Sequence, residues 1–380
     1  MQASLKILSI GSDRKLFEEG SAVSLRIKEY GSLVEELHIV ILAKESLGFK
    51  DKQIAPNVWL YPTNSLSRWF YIHDAARIGK RIIFKNKFVR GQSVITVQDP
   101  FESGWAGMKI KKKWRIPLEV QMHTNPSSPY FSGFLNNLRK RIAYKVLRNA
   151  DSVRVVTADL KSKVSNSTSA NIRVLPIYVD RKKIEDAKIS FDLHARYGWH
   201  FILLTVSRLA PEKNLSLALN TLALVRERFP DTGLVIVGSG SEEKVLKSEV
   251  KSLKLEGAVE FAGWQDNLSS FYKTANTFIQ TSFFEGYGLS LVEAGLSGLP
   301  VITTPVGIAL ELEHGKDAYI YPPNVNLFAN GVVDLIENNF KRENLRTNMK
   351  NFLERTLLSK EEYLEKLRKN WEQTAQKVLN

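Results

Sequence analysis

The chain has 380 residues, a formal net charge of +14 and a hydrophobic fraction of 43%. This length exceeds what one hydrophobic core usually occupies, so we expect two domains. The sequence contains no cysteine, which excludes a disulfide framework and a thiolate metal site and makes the cytosol the expected compartment. It also lacks a run of 18 apolar residues, so it predicts no membrane-spanning helix.

The positive charge is concentrated in the first half of the chain. Residues 1–180 contain 29 Lys and Arg against 15 Asp and Glu, whereas residues 181–380 contain 25 of each. The segments 77–90 and 109–115 carry six and five basic residues and no acid. Such a half favours an anionic partner, namely nucleic acid, an acidic polymer or a phospholipid surface. Solvated helix faces would give the same pattern.

Short apolar segments alternate with amphipathic ones through the first half. Strands are predicted at 5–10, 37–42, 58–62, 94–98, 117–122, 152–157 and 172–175. Helical periodicity lies between them, for example over 133–149. Alternation of helices with fully apolar strands predicts a parallel sheet that is covered on both faces.

Residues 177–198 are polar and weakly periodic, which predicts a linker. The alternation then restarts, with strands at 201–207, 233–237, 259–262, 277–281, 300–304 and 318–321 and helices near 214–228, 242–254, 266–275 and 288–298. A last amphipathic helix is predicted in 359–380 and is expected to cross back to the first domain. The predicted fold is therefore α/β, with two Rossmann-like, doubly wound domains, 1–176 and 199–358, that face a cleft.

The strongest motif is the stretch 283–305, FFEGYGLSLVEAGLSGLPVITTP. It predicts a strand end, a glycine loop and a helix that begins near Gly288. A helix start of this kind offers free N–H groups to a diphosphate. Glu285 precedes the helix and Glu293 lies on it, so both carboxylates could accept hydrogen bonds from vicinal sugar hydroxyls. Acidic residues also occur near helix starts for dipole reasons, and the residues alone leave both interpretations open.

Two basic residues follow the strand 201–207. Arg208 and Lys213, in SRLAPEK, come at its carboxyl end, where ligands bind in such sheets. A guanidinium beside an ammonium can neutralise a diphosphate leaving group.

Two residues of the first half, Asp99 and His123, are expected at the equivalent edge of their own sheet. Asp99 follows the strand 94–98 and His123 follows the strand 117–122, while Gly20 precedes the first helix. A histidine in this place can bind a sugar hydroxyl or transfer a proton, or it can be a structural residue at a strand end. The sequence has no Asp-x-Asp, no Walker phosphate loop and no G-x-G-x-x-G after the first strand, which disfavours a metal-chelating transferase, an NTPase and a nicotinamide dehydrogenase.

Several motifs together resemble one enzyme family. EGYGLSLVE resembles the Glu-x7-Glu motif of the family-4 retaining glycosyltransferases with the GT-B fold, and SRLAPEKN resembles their arginine–lysine phosphate motif. VGSGSEE, VEFAGW, LSGLPVITTPVG, ADSVRVVTADLK, VLPIYVD, ITVQDPF and VQMHT follow the family's order from end to end.

The resemblance implies a role for each candidate residue. Glu285 would bind donor-sugar hydroxyls and Glu293 the ribose, while Arg208 and Lys213 would hold the diphosphate. Backbone at Gly288 and Leu289 would contact phosphate, His123 would approach the donor sugar from the other domain, and Gly20 would line the cleft in the N-terminal loop. It also implies a retaining, metal-independent reaction that uses no cofactor besides the nucleotide-sugar donor.

The sequence departs from the family pattern at three places. Ser21 stands where a second glycine is usual, Val306-Gly307-Ile308 replaces Val-Gly-Gly, and Ile177-Tyr178 replaces an Asn-Gly pair. These departures bear on which donor and which acceptor the protein uses. They do not change the predicted class of enzyme.

The predicted function is transfer of a hexose from a nucleoside diphosphate sugar to a hydroxyl of a glycan or lipid-linked acceptor. The basic first half of the chain further predicts binding to an anionic membrane surface, at the inner face of the plasma membrane. The alternatives are a basic nucleic-acid-binding protein and a nucleotide-sugar epimerase on the same fold. Nucleic acid is disfavoured because the phosphate-binding motifs lie in the neutral half.

Overall fold

The computed structural model describes residues 5–126 and 133–377; positions 378–380 of the predicted last segment lie outside this range. The chain forms two compact units. Unit 1 comprises Met1–Pro176 and Ser359–Asn380, and unit 2 comprises Ile177–Leu358. Every described helix is too short or too polar to cross a lipid bilayer.

Unit 1 contains a sheet whose strands lie in the order β3-β4-β2-β1-β5-β6-β7-β8. The strands are β1 (Lys6–Gly11), β2 (Glu36–Ile41), β3 (Lys52–Ala55), β4 (Val58–Pro62), β5 (Ser93–Val97), β6 (Leu118–Met122), β7 (Ser152–Val155) and β8 (Asn171–Val174). All neighbours are parallel except β3, which pairs antiparallel with β4. The helices are α1 (Ala22–Gly31), α2 (Tyr71–Lys85), α3 (Glu102–Trp114), α4 (Phe134–Arg148), α5 (Ala158–Val164) and the last helix of the chain, α14 (Lys360–Gln376).

Unit 2 contains a fully parallel sheet in the order β11-β10-β9-β12-β13-β14. The strands are β9 (Phe201–Val206), β10 (Thr232–Val237), β11 (Val259–Gly263), β12 (Thr277–Gln280), β13 (Val301–Thr303) and β14 (Tyr319–Ile320). The helices are α6 (Arg181–Glu185), α7 (Leu193–Tyr197), α8 (Leu215–Arg226), α9 (Glu243–Ser252), α10 (Ser269–Thr274), α11 (Leu289–Leu296), α12 (Val325–Glu337) and α13 (Asn339–Thr356). Short 3₁₀ turns occur in both units, at Arg14–Phe17, Glu45–Leu47, Arg68–Phe70, Ser165–Ser167, Pro211–Lys213 and Gly307–Glu311.

Both units have the doubly wound topology that the apolar strand pattern predicted. The central strands β5, β6, β10 and β12 are buried at every position, as expected for strands covered by helices on both faces. In each sheet the strand order reverses beside the first strand, between β1 and β5 and between β9 and β12. Ligands bind at such switch points, beyond the carboxyl ends of the strands.

The C-terminal helix α14 belongs to unit 1. Its buried face carries Tyr363, Leu367 and Trp371, and Ser359 and Glu362 form a capping box at its start. The Trp371 indole Nε1 donates to Glu119 Oε1 on β6 at 3.3 Å. This helix therefore completes one covering layer of the first sheet.

Two features differ from the expectations drawn from sequence. The strand β3 was missed because its segment, KQIA, is polar and only partly buried at the sheet edge. Residues 177–198, interpreted as a linker, contain α6 and α7 and pack on unit 2. Lys273 Nζ donates to the carbonyl oxygens of Glu185 and Ala187, both at 2.6 Å.

Candidate functional site

Two loops meet at the switch point of unit 2, one after β9 and one after β12. The Phe283 N–H donates to the Glu212 carbonyl at 2.9 Å. The Thr281 hydroxyl donates to the Lys213 carbonyl at 3.0 Å. These bonds fix the two loops to each other, although they are about seventy residues apart in sequence. Hydrogen bonds between its two loops therefore define the backbone of the switch point.

Lys213 and Glu285 form an ion pair at this place. Lys213 Nζ lies 2.7 Å from Glu285 Oε1, and the two side chains are 13% and 12% exposed. The Ser282 hydroxyl donates to the same carboxylate oxygen at 2.7 Å. Glu285 Oε2 has no hydrogen-bond partner within the described part of the chain. The carboxylate is thus oriented by two donors and keeps an oxygen that can accept from a hydroxyl group.

Arg208 lies on the same loop but is far more accessible. Its Nη2 atom is 2.8 Å from Glu212 Oε1, and 70% of the Arg208 side chain is exposed. An exposed ion pair of this kind is weak and easily exchanged. Arg208 is therefore free to leave Glu212 and contact an anionic ligand.

The helix start predicted at Gly288 is present. Gly288 is the N-cap of α11 with φ +97°, and no side chain caps the helix. Leu289 is the first helical residue, so its backbone N–H points out of the helix end. Gly307 packs against this loop: a Cβ at Gly307 would lie 2.4 Å from the Tyr287 carbonyl oxygen. The close approach holds an uncapped helix end at the carboxyl edge of the sheet, which suits phosphate oxygens.

Glu293 lies one turn further along α11 and faces α10. The Tyr272 hydroxyl donates to Glu293 Oε2 at 3.0 Å. Burial raises the pKa of Glu293, and the bond from Tyr272 partly opposes that rise. The structure thus places Glu285 and Glu293 in different surroundings, one beside an ammonium and one beside a phenol.

The candidate residues of the first half lie in unit 1. Gly20 ends the loop before α1, and a Cβ at Gly20 would meet no atom within 4 Å. His123 directly follows β6; part of its side chain is exposed to solvent and the rest is surrounded by protein. Desolvation by that protein, together with the charges of Arg154 and Arg26, lowers the pKa of His123 to about 4. This histidine is therefore neutral at physiological pH and can donate or accept a hydrogen bond.

Both carboxylate oxygens of Asp99 accept hydrogen bonds from residues that follow it closely in the chain. One carboxylate oxygen accepts from the Phe101 N–H at 2.8 Å and the other from the Ser103 hydroxyl at 2.7 Å. Both partners belong to the start of α3, so Asp99 connects the end of β5 to this helix. Burial raises the pKa of this carboxyl group.

Sequence reasoning missed two residues of the site in unit 2. Ser282 orients Glu285, and Tyr272 binds Glu293. The hydroxyl pair Thr281-Ser282 at the end of an apolar strand is a signal that could have indicated the first. Tyr272 lies 21 residues before its partner on another helix, and no local pattern points to it.

Comparisons with known proteins bear on both units. Residues 189–352 match the model of the family described as glycosyl transferases group 1. The chain is similar to poly(glycerol-phosphate) alpha-glucosyltransferase of Bacillus subtilis, with 34% identity over 35% of this chain and 20% of that protein. It is also similar to alpha-monoglucosyldiacylglycerol synthase of Acholeplasma laidlawii, with 24% identity over 71% of this chain and 72% of that protein.

Solved structures extend the similarity to nearly the whole chain. Sucrose-phosphate synthase from Thermosynechococcus elongatus superimposes with a TM-score of 0.78 and 17% identity, over 97% of this chain and 98% of that one. Anabaena Alr3699/HepE, solved with UDP and glucose, gives a TM-score of 0.73 and 18% identity, over 97% and 99%. The fold is that of the GT-B glycosyltransferases.

The matches also discriminate between the functions predicted from sequence. They favour the glycosyltransferase among these functions. They give no support to a nucleic-acid-binding protein or to an epimerase.

Proposed function

We propose that the chain is a hexosyltransferase whose donor, a nucleoside diphosphate sugar, binds at the switch point of unit 2. The observation that carries the proposal is the Lys213–Glu285 pair beside the uncapped start of α11. One cation, one oriented carboxylate and a row of backbone N–H groups match the chemistry of a diphosphate joined to a sugar.

Each side chain has a separate task in this proposal. Lys213 and Arg208 neutralise the diphosphate as the bond between it and the sugar breaks, and the N–H groups at Gly288 and Leu289 bind phosphate oxygens. Glu285 accepts from remote sugar hydroxyls through Oε2, and Glu293 accepts from ribose hydroxyls. The rate then comes from positioning and from stabilisation of the leaving group.

We further propose that the anomeric configuration is retained, with departure and attack on one face of the sugar. Glu285 is held by Lys213 and Ser282 on the leaving-group side, where it grips the sugar and does not attack its reacting carbon. His123, neutral at pH 7, would donate to or accept from the donor sugar. No divalent metal is required in this scheme, because cationic side chains supply the charge.

The acceptor in this proposal is a hydroxyl group of a glycan or of a lipid-linked sugar. Two of the similar proteins are named as a poly(glycerol-phosphate) glucosyltransferase and a glucosyldiacylglycerol synthase, which makes membrane-associated acceptors the first class to test. The proposed location is the cytoplasm, at the inner face of the plasma membrane.

The test is transfer of a labelled hexose from UDP-, GDP- and ADP-sugars to a panel of lipid and glycan acceptors. We expect acceptor-dependent product with one nucleotide, and NMR of that product should show the donor's anomeric configuration. An inverted centre would contradict retention, and a glycosyl adduct on Glu285 in the intact mass would contradict its non-covalent role. Absence of transfer across the panel, with the donor bound, would contradict the proposed reaction.

A further inference from the structure

Three helices of unit 1 form a continuous layer on one face of its sheet. Helix α2 packs against α3, and α3 packs against α4. We call the outward side of these helices the α2–α4 face, and it comprises residues 71–90, 102–115 and 134–148. The segments 77–90 and 109–115 that dominate the charge of the sequence both belong to it.

The α2–α4 face carries a charge equal to that of the whole chain. Its three segments contain sixteen Lys and Arg and two acids, Asp74 and Glu102. Both acids are paired, with Arg77 and Arg139. The face therefore carries fourteen more basic than acidic residues. Such a surface attracts an extended anionic partner.

The structure shows which cations are available for that partner. Lys111 is engaged, because its Nζ atom lies 2.6 Å from Asp151 Oδ2 and donates to the Asn149 carbonyl at 2.7 Å. Lys109, Lys112 and Lys113, on the same helix, are exposed. Lys113 Nζ lies 5.8 Å from the ring centroid of Trp114.

Large apolar side chains project from the same face. Phe84 near the end of α2 is 75% exposed, and Phe134 at the start of α4 is 86% exposed. Leu135 and Leu138, on the following turn of α4, are exposed as well. Trp69, in the 3₁₀ turn Arg68–Phe70 that precedes this face in the chain, is 79% exposed. Apolar groups this accessible among cations are typical of surfaces that bind protein or membrane.

We propose that the α2–α4 face is a docking surface for an anionic lipid bilayer. The lysines and arginines attract the headgroups, while Phe84, Phe134 and the neighbouring leucines enter the boundary between headgroups and acyl chains. Nucleic acid is the weaker match, because Leu135 and Leu138 cannot stack on bases as aromatic rings do. This proposal rests on the membrane location proposed above and assigns the attachment to particular residues. Vesicle binding is measured without donor or acceptor, so its failure is distinguishable from a failure of sugar transfer.

The experiment is sedimentation of the full chain with two kinds of vesicle, phosphatidylcholine alone and phosphatidylcholine mixed with phosphatidylglycerol, at low and high salt. The charge variant is K109Q/K112Q/K113Q on α3, and its control is K244Q/K247Q/K251Q on α9 of unit 2. The apolar variant is Phe134→Ser, and its control is Phe340→Ser, a phenylalanine of unit 2 that is also largely exposed (74%). All these side chains are exposed, so we expect the variants to fold, and thermal unfolding checks this.

We expect wild type to bind the anionic vesicles and to be released by salt. The α3 variant should bind about 100-fold more weakly, at about 5-fold per lysine, and Phe134→Ser about 10- to 100-fold more weakly. Both controls should match wild type. Equal binding to both vesicle types, or equal losses in a variant and its control, would overturn the proposal. Binding to mixed-sequence duplex DNA without binding to anionic vesicles would overturn it in favour of nucleic acid.

Discussion

Tyr272 on α10 donates its hydroxyl hydrogen to Glu293 on α11 at 3.0 Å, and this contact is internal to unit 2. Burial raises the pKa of Glu293 and holds the pKa of Tyr272 well above its ordinary value. The tyrosine therefore remains a donor, and it holds in place a carboxylate that is costly to keep charged. Such a cost is common where a carboxylate serves a ligand.

Glu293→Gln should separate stability from ligand binding. Because the folded-state pKa of Glu293 is raised above 4.5, the folded protein binds this proton more tightly than the unfolded chain, and stability decreases as pH rises through that pKa. The variant should lack this decrease, so its melting temperature relative to wild type should be higher at pH 7.5 than at pH 4. Its nucleoside diphosphate affinity should fall about 10- to 100-fold, the value of a hydrogen bond to a charged group.

The control for Glu293→Gln is Tyr272→Phe, which removes the donor and keeps the ring. It should lose less affinity than Glu293→Gln does, because the carboxylate group is kept and only the donor that orients it is removed. If Glu293→Gln bound each nucleoside diphosphate as tightly as wild type does, the ribose would have to be held by other residues.

Lys213→Ala and Arg208→Ala should mainly reduce turnover. Each removes a positive charge from the leaving diphosphate, a loss that typically costs about 10²- to 10³-fold in rate. Lys316→Ala is the matched control, because Lys316 pairs with Glu313 on the surface of the same unit. Steady-state kinetics with the identified donor would measure these rates, and near-native turnover in both variants would place the diphosphate at another site.

His123→Ala should lower the transfer rate about 10- to 100-fold, as expected for loss of a hydrogen bond to the substrate, while nucleotide affinity is retained. The pH profile gives a second readout. Since the pKa of His123 is lowered to about 4, the contribution of this residue should be constant from pH 6 to 8 and change only on acidification toward pH 4. A rate that tracks a histidine titration near pH 6.5 and disappears in His123→Ala would contradict this assignment.

Transfer should proceed at its full rate in excess EDTA. The sequence lacks an Asp-x-Asp pair, and within residues 5–126 and 133–377 no group of three or more His, Asp or Glu side chains is arranged to hold a metal ion. The proposed mechanism therefore assigns the diphosphate to Lys213 and Arg208. Loss of activity in EDTA with recovery on addition of manganese or magnesium would show that the donor needs a metal.

The sequence predicted strands and motif positions well, because fully apolar segments between amphipathic ones leave few other interpretations. β9, for example, was expected at 201–207 and is found at Phe201–Val206. It did not predict which strands are neighbours. The contact between Lys213 and Glu285 depends on β12 lying beside β9, and that between Glu293 and Tyr272 depends on how α10 packs on α11. Such contacts arise from tertiary packing, which local patterns do not encode.

The most direct test of the central claim is calorimetric and thermal-shift titration of UDP, GDP and ADP into wild type, Lys213→Ala and Glu293→Gln. One nucleoside diphosphate should bind wild type and, at 100 times its dissociation constant, stabilise the fold by about 2.7 kcal/mol. Both variants should bind that ligand more weakly, while Lys316→Ala should bind it as wild type does. Absence of binding by all three ligands, or equal affinity in wild type and both site variants, would contradict a donor site at the switch point of unit 2.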